Sequence, residues 1–435
     1  MENNVTSTTH DTKKRIMSII SSASGNLIEW YDFYVYSFAS IYFASQFFPS
    51  DGDVVAQLLK AAAVFFVGFL MRPIGGWFFG YIADRYGRKR SMLISVFMMC
   101  GGSFLIAILP TYETIGITAV ILLLLLRMLQ GLSVGGEYGT IATYISEIAD
   151  KKHRGFFGAF QSTTLSGGQL LASLVIFILA LYLTEDQLKA WGWRIPFAIG
   201  GLVAIVVFYL RSSLHETTTK ESRSKKQAGS LMELLRNHRK AFFLIIGFSG
   251  AGSLIFYTYT THMHKYLITT SGFDKQTATT VMTTALFVFI LLQPAFGALA
   301  DKIGTKASLF MWSVLSIIFT IPGLKIIGNT NNMWVALSII IGMLCILSFY
   351  TSISGIIKAD MFPSSVRAIG VGLPFAIANA LFGGSAEYVA LGLKDIGYES
   401  VFYFYIISML VIAFIAITLM PDPRKNGYLQ KDEIQ

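Results

Sequence analysis

This sequence is short of charge. Only 14 % of its 435 residues are Asp, Glu, Lys or Arg, where soluble domains carry about 25 %. A soluble chain of this length would divide into two or three domains, each with its own polar shell. There is too little charge here to build those shells. Cysteine is nearly missing as well: Cys100 and Cys345 are the only two, both in apolar runs, which excludes a disulfide scaffold. The scarcity of polar residues excludes intrinsic disorder, and the composition does not fit collagen-like repeats. A cleavage site is missing too. Lys13, Lys14 and Arg15 lead into an apolar run far longer than the core of a signal peptide, so no cleaved leader is expected.

What the chain does contain is apolar length. Apolar residues make up 54 % of it, in stretches at about 18–47, 60–82, 92–110, 116–147, 155–183 and 193–211. A polar, basic segment at 212–240 follows, then stretches at about 241–268, 277–299, 307–328, 333–359, 368–393 and 400–420. A membrane-spanning helix needs about 20 apolar residues, and lipid offers no partner for open backbone, so each stretch is expected to be helical. The expected fold is an all-α membrane protein of twelve transmembrane helices in two six-helix, pseudo-symmetric bundles. Its expected divisions are an N-terminal tail (1–17), a first bundle (18–211), a linker (212–240), a second bundle (241–420) and a C-terminal tail (421–435).

The basic residues set the orientation. One set of alternate loops, with the termini and linker, holds 24 Lys and Arg; the other set holds 7. Arg72, Arg127 and Lys358 are left over within helices or near their ends. By the positive-inside rule the termini and linker face the cytoplasm. The net charge of +9 follows from the same asymmetry. It is divided among short loops and so does not form a nucleic-acid surface. A multi-pass membrane protein, seated in the lipid, is expected.

Two motifs occur twice. Gly80-Tyr-Ile-Ala-Asp84-Arg85-Tyr-Gly87-Arg88-Lys89 joins the second and third stretches, and Gly297-Ala-Leu-Ala-Asp301-Lys302-Ile-Gly304-Thr305-Lys306 joins the eighth and ninth. Asp84 and Asp301 are 217 positions apart. Glu147 precedes Arg154 by seven residues, as Asp360 precedes Arg367, and this pair repeats at 213. Two motifs at nearly one offset indicate a duplicated six-helix unit. Such repeats suggest a transporter whose site lies at mid-membrane between the halves. The glycines suit a tight turn and close helix approach; on the plainest reading, the cations merely set topology.

The same loop, with Arg127-Met-Leu-Gln130-Gly131-Leu-Ser-Val-Gly135-Gly136-Glu137, resembles the major facilitator superfamily, and within it the metabolite:proton symporters. Ser24-Gly-Asn26-Leu-Ile-Glu29-Trp-Tyr-Asp32-Phe-Tyr34, Phe69-Leu-Met-Arg72-Pro-Ile-Gly-Gly76, Ser348-Phe-Tyr350-Thr-Ser-Ile-Ser-Gly355 and Phe382-Gly-Gly-Ser-Ala-Glu387-Tyr388-Val-Ala-Leu391 are similar to members of that family that carry 2-oxoglutarate. The resemblance implies proton-coupled import of this dicarboxylate by alternating access. Citrate, another dicarboxylate, shikimate, proline and betaine are the alternatives within the family. It implies no cofactor. The partners it implies are a small anionic metabolite and protons.

A charge at the bilayer centre costs at least about 2.5–3.5 kcal/mol and marks function by default. Asp32 on the first helix and Arg127 on the fourth could exchange a proton for a salt bridge; related sugar porters couple protons through such a pair. Glu29, one turn before Asp32, could titrate in its place, and a static pair is the alternative. Arg72 lies twelve residues before Asp84, about 18 Å along the axis, near mid-membrane. A guanidinium fork there suits a substrate carboxylate; Glu29 or Asp32 could instead be its partner. Glu137 and Glu387 are weaker candidates. Lys358 either contacts substrate or snorkels to the inner end. Gln169 aligns with a sugar-contacting Gln of the related porters. Asn26, Tyr34, Tyr257, Tyr350, Asn379 and Tyr388 could donate to a carboxylate or serve helix packing. His262 and His264 have no third ligand nearby, so no metal is expected. Glu147 and Arg88 resemble the porters' cytoplasmic lock. Thr305 stands where the first half has Arg88, so Asp360 would need Lys306 or Arg367. A polytopic enzyme would need a nucleophile–base pair or metal cluster that the sequence does not offer, and a channel fits poorly with the duplication and the lack of charge rings.

Overall fold

In the computed structural model, residues 25–40, 42–49, 54–212, 216, 221, 229–395, 397–423 and 427–431 are described. The N-terminal tail (1–17), with Lys13, Lys14 and Arg15, lies outside them, as do parts of the linker and C-terminal tail. Among the described residues twelve long helices carry the fold. α1 covers 25–40 and 42–47, and α2 is Val54–Leu70 followed by Arg72–Tyr86. α3 is Arg88–Ala107, α4 Ile117–Ile148, α5 Arg154–Tyr182 and α6 Arg194–Ser212. In the second half α7 is Arg239–Thr269, α8 Lys275–Ile303, α9 Thr305–Gly328, α10 Met333–Ala359, α11 Arg367–Lys394 and α12 Glu399–Leu419. Among the described residues ten helices are long and apolar enough to cross a membrane, eleven if the bent pair Glu185–Gly192 and Arg194–Tyr209 is one span. α1, over 25–40 and 42–47, is a further long helix beside them.

The polarity of the molecule is inverted relative to a soluble protein. Phe97 and Ile205 are each 71 % exposed on the outer surface, while Asp32, Arg127 and Lys358 are fully buried. Apolar faces turned outward with charges inside are what a hydrocarbon solvent selects. The sequence marks the helix boundaries through glycine and caps. Gly87, between α2 and α3, has φ +112°, and Gly304, between α8 and α9, has φ +103°; a residue with a Cβ is strained there. Asp274 starts α8 by accepting the Thr277 N–H at 2.9 Å, and Asn332 starts α10 by accepting that of Trp334, also at 2.9 Å.

The duplication is visible in the packing. α2 packs on α4, α3 on α4 and α3 on α6; adding six to each label gives α8 on α10, α9 on α10 and α9 on α12, all of which occur. The seam obeys the same rule, with α2 on α11 and α8 on α5. Three details depart from plain apolar runs. π-helical turns interrupt α7 at Thr258–His262 and α11 at Asn379–Gly383. α10 breaks between Thr351 and Ser354. The segment read as polar linker contains a short helix, Leu231–Asn237, started by Ser230.

Candidate functional site

At the end carrying the basic loops, the halves are clasped by helix termini. Asp84, in the last turn of α2, accepts the backbone N–H groups of Ala368 (3.1 Å) and Ile369 (3.0 Å) at the start of α11. Its repeat image Asp301, in the last turn of α8, accepts those of Gly155 (2.6 Å) and Phe156 (3.0 Å) at the start of α5. Each carboxylate meets two otherwise unsatisfied donors at the positive end of a helix dipole. Small residues let the backbones approach. A Cβ on Gly80 would lie 2.7 Å from the Ile369 Cα, and one on Gly155 2.3 Å from the Gly297 carbonyl oxygen.

Charged side chains reinforce this clasp on one side. Arg88 pairs with Asp84 one turn back, with Glu147 at 3.2 Å, and donates to the Ser364 carbonyl at 3.2 Å. Arg367 reaches the same Glu147 oxygen at 3.0 Å and donates to the Phe362 carbonyl. The image side is built differently. Asp360 accepts the Leu429 N–H at 2.9 Å, Arg154 reaches the Leu429 carbonyl at 3.5 Å, and Lys306 donates to the Met420 carbonyl. Arg85, between these motifs, is exposed.

Deeper in, Arg72 is 2 % exposed. Its guanidinium lies over the rings of Phe69 (3.7 Å), Phe33 (4.4 Å) and Trp30 (5.3 Å), and it donates to the Tyr257 hydroxyl of α7 at 3.4 Å. Nε and Nη2 are buried with no hydrogen-bond partner among the described residues. The Tyr34 hydroxyl is buried beside Tyr257 and Arg72, and Trp30 stacks on Tyr34. A Cβ on Gly383 would meet both Asn379 Oδ1 and the Tyr257 ring. Arg72, Tyr34, Tyr257 and Asn379 thus converge where α1, α2, α7 and α11 meet. Among the described residues this group holds cation–π contacts in place of an ion pair, and two nitrogens of one guanidinium are open to a carboxylate. Glu29 and Asp32 are not its partners.

Asp32 and Arg127 do not form an ion pair in this structure. Arg127 donates to Gln130 Oε1 at 2.6 Å, with Tyr36 and Phe33 against its plane at 4.4 and 4.8 Å. Asp32 faces α3 and α6: Ser103 and Cys100 are its polar neighbours, neither oxygen has a well-directed hydrogen bond, and a Cβ on Gly200 would clash with Oδ1. Glu29 and Glu137 both contact the Ser95 hydroxyl, Glu29 at 3.3 Å.

Lys358 is directed away from the basic end. Its ammonium meets Ser354 (2.7 Å), Tyr138 (2.9 Å) and Tyr350 (3.5 Å), and Tyr350 stacks on Trp312. Gln169 reaches Thr261 across the seam at 3.5 Å and leaves its buried Oε1 open.

Two candidate lining residues, Asn26 and Tyr388, and one candidate intramembrane charge, Glu387, fall elsewhere. Asn26 spends its amide on Gln161 and Thr164 of α5 and accepts from Trp30, which is helix packing. Tyr388 is 76 % exposed on the outside of α11. Glu387 pairs with Lys265 at the surface rather than inside the membrane. Conversely, Tyr138, Ser354, Phe375, Phe69 and Gln130 belong around the buried cations, and sequence reasoning passed over them. Aromatic and hydroxyl side chains in apolar runs look like packing, and only the position of Tyr138 beside Glu137 offered a signal.

Comparison with known proteins agrees with this architecture. A profile for sugar (and other) transporters matches residues 17–221, and one for the major facilitator superfamily matches 263–435. The alpha-ketoglutarate permease of Escherichia coli K12 is 56 % identical over 97 % of this chain and 96 % of that protein. The citrate-proton symporter of Klebsiella pneumoniae is 31 % identical over 88 % of this chain and 86 % of its own length. In fold the chain is similar to the E. coli xylose transporter XylE. A double-Trp mutant of it matches with TM-score 0.77 at 16 % identity over 96 % of this chain and 98 % of its own, and a partially occluded inward-open form with TM-score 0.69 at 17 % over 95 % and 99 %. The chain belongs to the major facilitator superfamily. It is a multi-pass membrane transporter and not an enzyme.

Proposed function

We propose that this chain imports 2-oxoglutarate together with protons across the inner membrane of a bacterium. On this reading it acts as a monomer with both termini and the linker in the cytoplasm. The observation that carries the reading is the 56 % identity to an alpha-ketoglutarate permease over 97 % of the chain. The geometry supports it: Arg72 is buried at the seam between the halves, and two of its guanidinium nitrogens have no partner among the described residues, a poor arrangement unless an anion visits it.

The direction of transport requires coupling. A dianion entering against 100 mV, inside negative, costs about 2.3 kcal/mol per charge, hence about 4.6 in all. Each proton returns about 2.3, plus about 1.4 per unit of pH gradient. Asp32 is the group assigned to the proton, with Glu29 its neighbour on α1. Protonated Asp32 leaves Arg127 on Gln130; loss of the proton draws the guanidinium to the carboxylate. Rocking of the two six-helix units about the seam, with the Asp84 and Asp301 clasps opening for release, completes the cycle.

The test is uptake of labelled 2-oxoglutarate into proteoliposomes holding the purified protein. Accumulation above equilibrium under an imposed proton gradient, collapsed by an uncoupler, is expected. The reading fails if uptake does not saturate, or if unlabelled citrate, shikimate, proline or betaine displaces the label better than 2-oxoglutarate itself.

A further inference from the structure

We propose that Lys358 and the hydroxyls around it form a second anion seat, which takes the far carboxylate of a dicarboxylate cargo and sets a preference for dianions over monoanions. The choice of cargo rests on the reading above; the seat itself rests on Lys358. This lysine is fully buried near the end of α10. An ammonium has three donors, and here they meet Ser354 Oγ at 2.7 Å, the Tyr138 hydroxyl at 2.9 Å and the Tyr350 hydroxyl at 3.5 Å. All three are neutral. The rings of Phe375, at 4.1 Å, and Tyr138, at 4.7 Å, close the sides. Among the described residues no carboxylate pairs with this cation.

A snorkelling lysine would run to the basic end, where Asp360 is two residues away. Lys358 instead turns back toward Tyr350, eight residues earlier and about 12 Å along a helix. A peg holding α4 to α10 needs hydrogen bonds but no charge, so packing alone does not explain a buried cation. An arriving carboxylate would accept from the ammonium and from the tyrosine hydroxyls in charge-assisted bonds.

The two cations also stand in a telling relation. Arg72 belongs to the first half and donates to Tyr257 of the second; Lys358 belongs to the second half and donates to Tyr138 of the first. On α4, a Cβ at Gly135 would strike the Arg72 backbone, and Tyr138 is one turn further on. Two adjacent seats therefore span the seam, each with one unneutralised charge. A dianion satisfies both, whereas a monoanion leaves one cation buried and unpaired. The preference for the dianion is thus built in by the second contact, which a monoanion cannot make.

The experiment compares 2-oxoglutarate with 2-oxopentanoate, in which a methyl group replaces the far carboxylate, as competitors of uptake by the reconstituted full-length protein. For Lys358→Gln the apparent affinity for 2-oxoglutarate is expected to fall roughly 10- to 100-fold, the range for a hydrogen bond to a charged group. Competition by 2-oxopentanoate should stay the same or improve, and Lys358→Arg should retain most of the preference. Tyr138→Phe keeps the charge and the ring and should lower the same ratio by a smaller factor, so the seat remains testable if Lys358→Gln is poorly inserted. Equal weakening of both competitors, no change in either, or a wild-type ratio in Tyr138→Phe overturns the seat. A wild-type protein that carries no 2-oxoglutarate overturns the cargo reading alone. The seat is then decided by thermal stabilisation of the same variants with glutarate against pentanoate.

Discussion

Among the described residues Arg72 meets three aromatic rings, with one tyrosine hydroxyl as its polar contact, so no carboxylate there neutralises its charge. Arg72→Gln keeps a donor and removes the fork. Initial uptake rates at low substrate should fall roughly 10- to 100-fold, the cost of losing a charge-assisted bond. Arg72→Lys should not restore them, because a point charge cannot pair bidentately. Asp32→Asn removes a titratable proton while keeping the shape of the side chain. It should abolish concentrative uptake and leave exchange of internal for external substrate intact; a variant that still accumulates substrate to the wild-type level refutes the assignment. Much at this scale was legible in the sequence, because a charge in an apolar run has few reasons to be there. What it satisfies itself with was not legible. Arg127 pairs with Gln130, three residues on along the same face, and not with the carboxylate expected of it.

Helix ends carry the interaction between the halves. Asp301 accepts two backbone N–H groups of α5, and Asp84 two of α11. A lost N-terminal cap costs about 0.5–2 kcal/mol, enough to shift a two-state equilibrium by roughly 2- to 30-fold. Asp301→Ala should therefore favour opening of the basic end. A cysteine at Ala142, in a background lacking Cys100 and Cys345, should react faster with an impermeant maleimide from that side; an unchanged rate would show that the clasp does not hold the closed state. Asp301 and Asp84 were found from the repeated motif, but their partners were invisible, since a backbone donor has no signature in sequence. The outward placement of Tyr388, 76 % exposed, also belongs to the scale of the element. The π-helical turn at Asn379–Gly383 adds a residue to a helix that otherwise advances about 100° per residue. Every side chain after it is rotated from the face that regular counting assigns.

For the whole molecule, the uneven distribution of 24 against 7 basic residues makes a prediction independent of any side-chain contact. In intact cells a single cysteine at Lys152 should be shielded from an external impermeant reagent and one at Lys325 labelled by it; the reverse pattern would invert the topology. The sequence by itself determined the run of apolar helices, their duplication, their likeness to a transporter family and the placing of Asp32, Arg72 and Arg127 within apolar runs. Those properties follow from local quantities: the length of an apolar run, the spacing of a motif, the cost of a charge in lipid. Only the tertiary structure decided that Arg72 faces Tyr257 and Lys358 faces Tyr138. It alone showed that Asp32 and Arg127 stand apart, and that Asp84 and Asp301 clasp helices more than 140 positions away. Each depends on how two six-helix units meet and on where a helix winds irregularly. Nothing in the order of the residues records those relations directly.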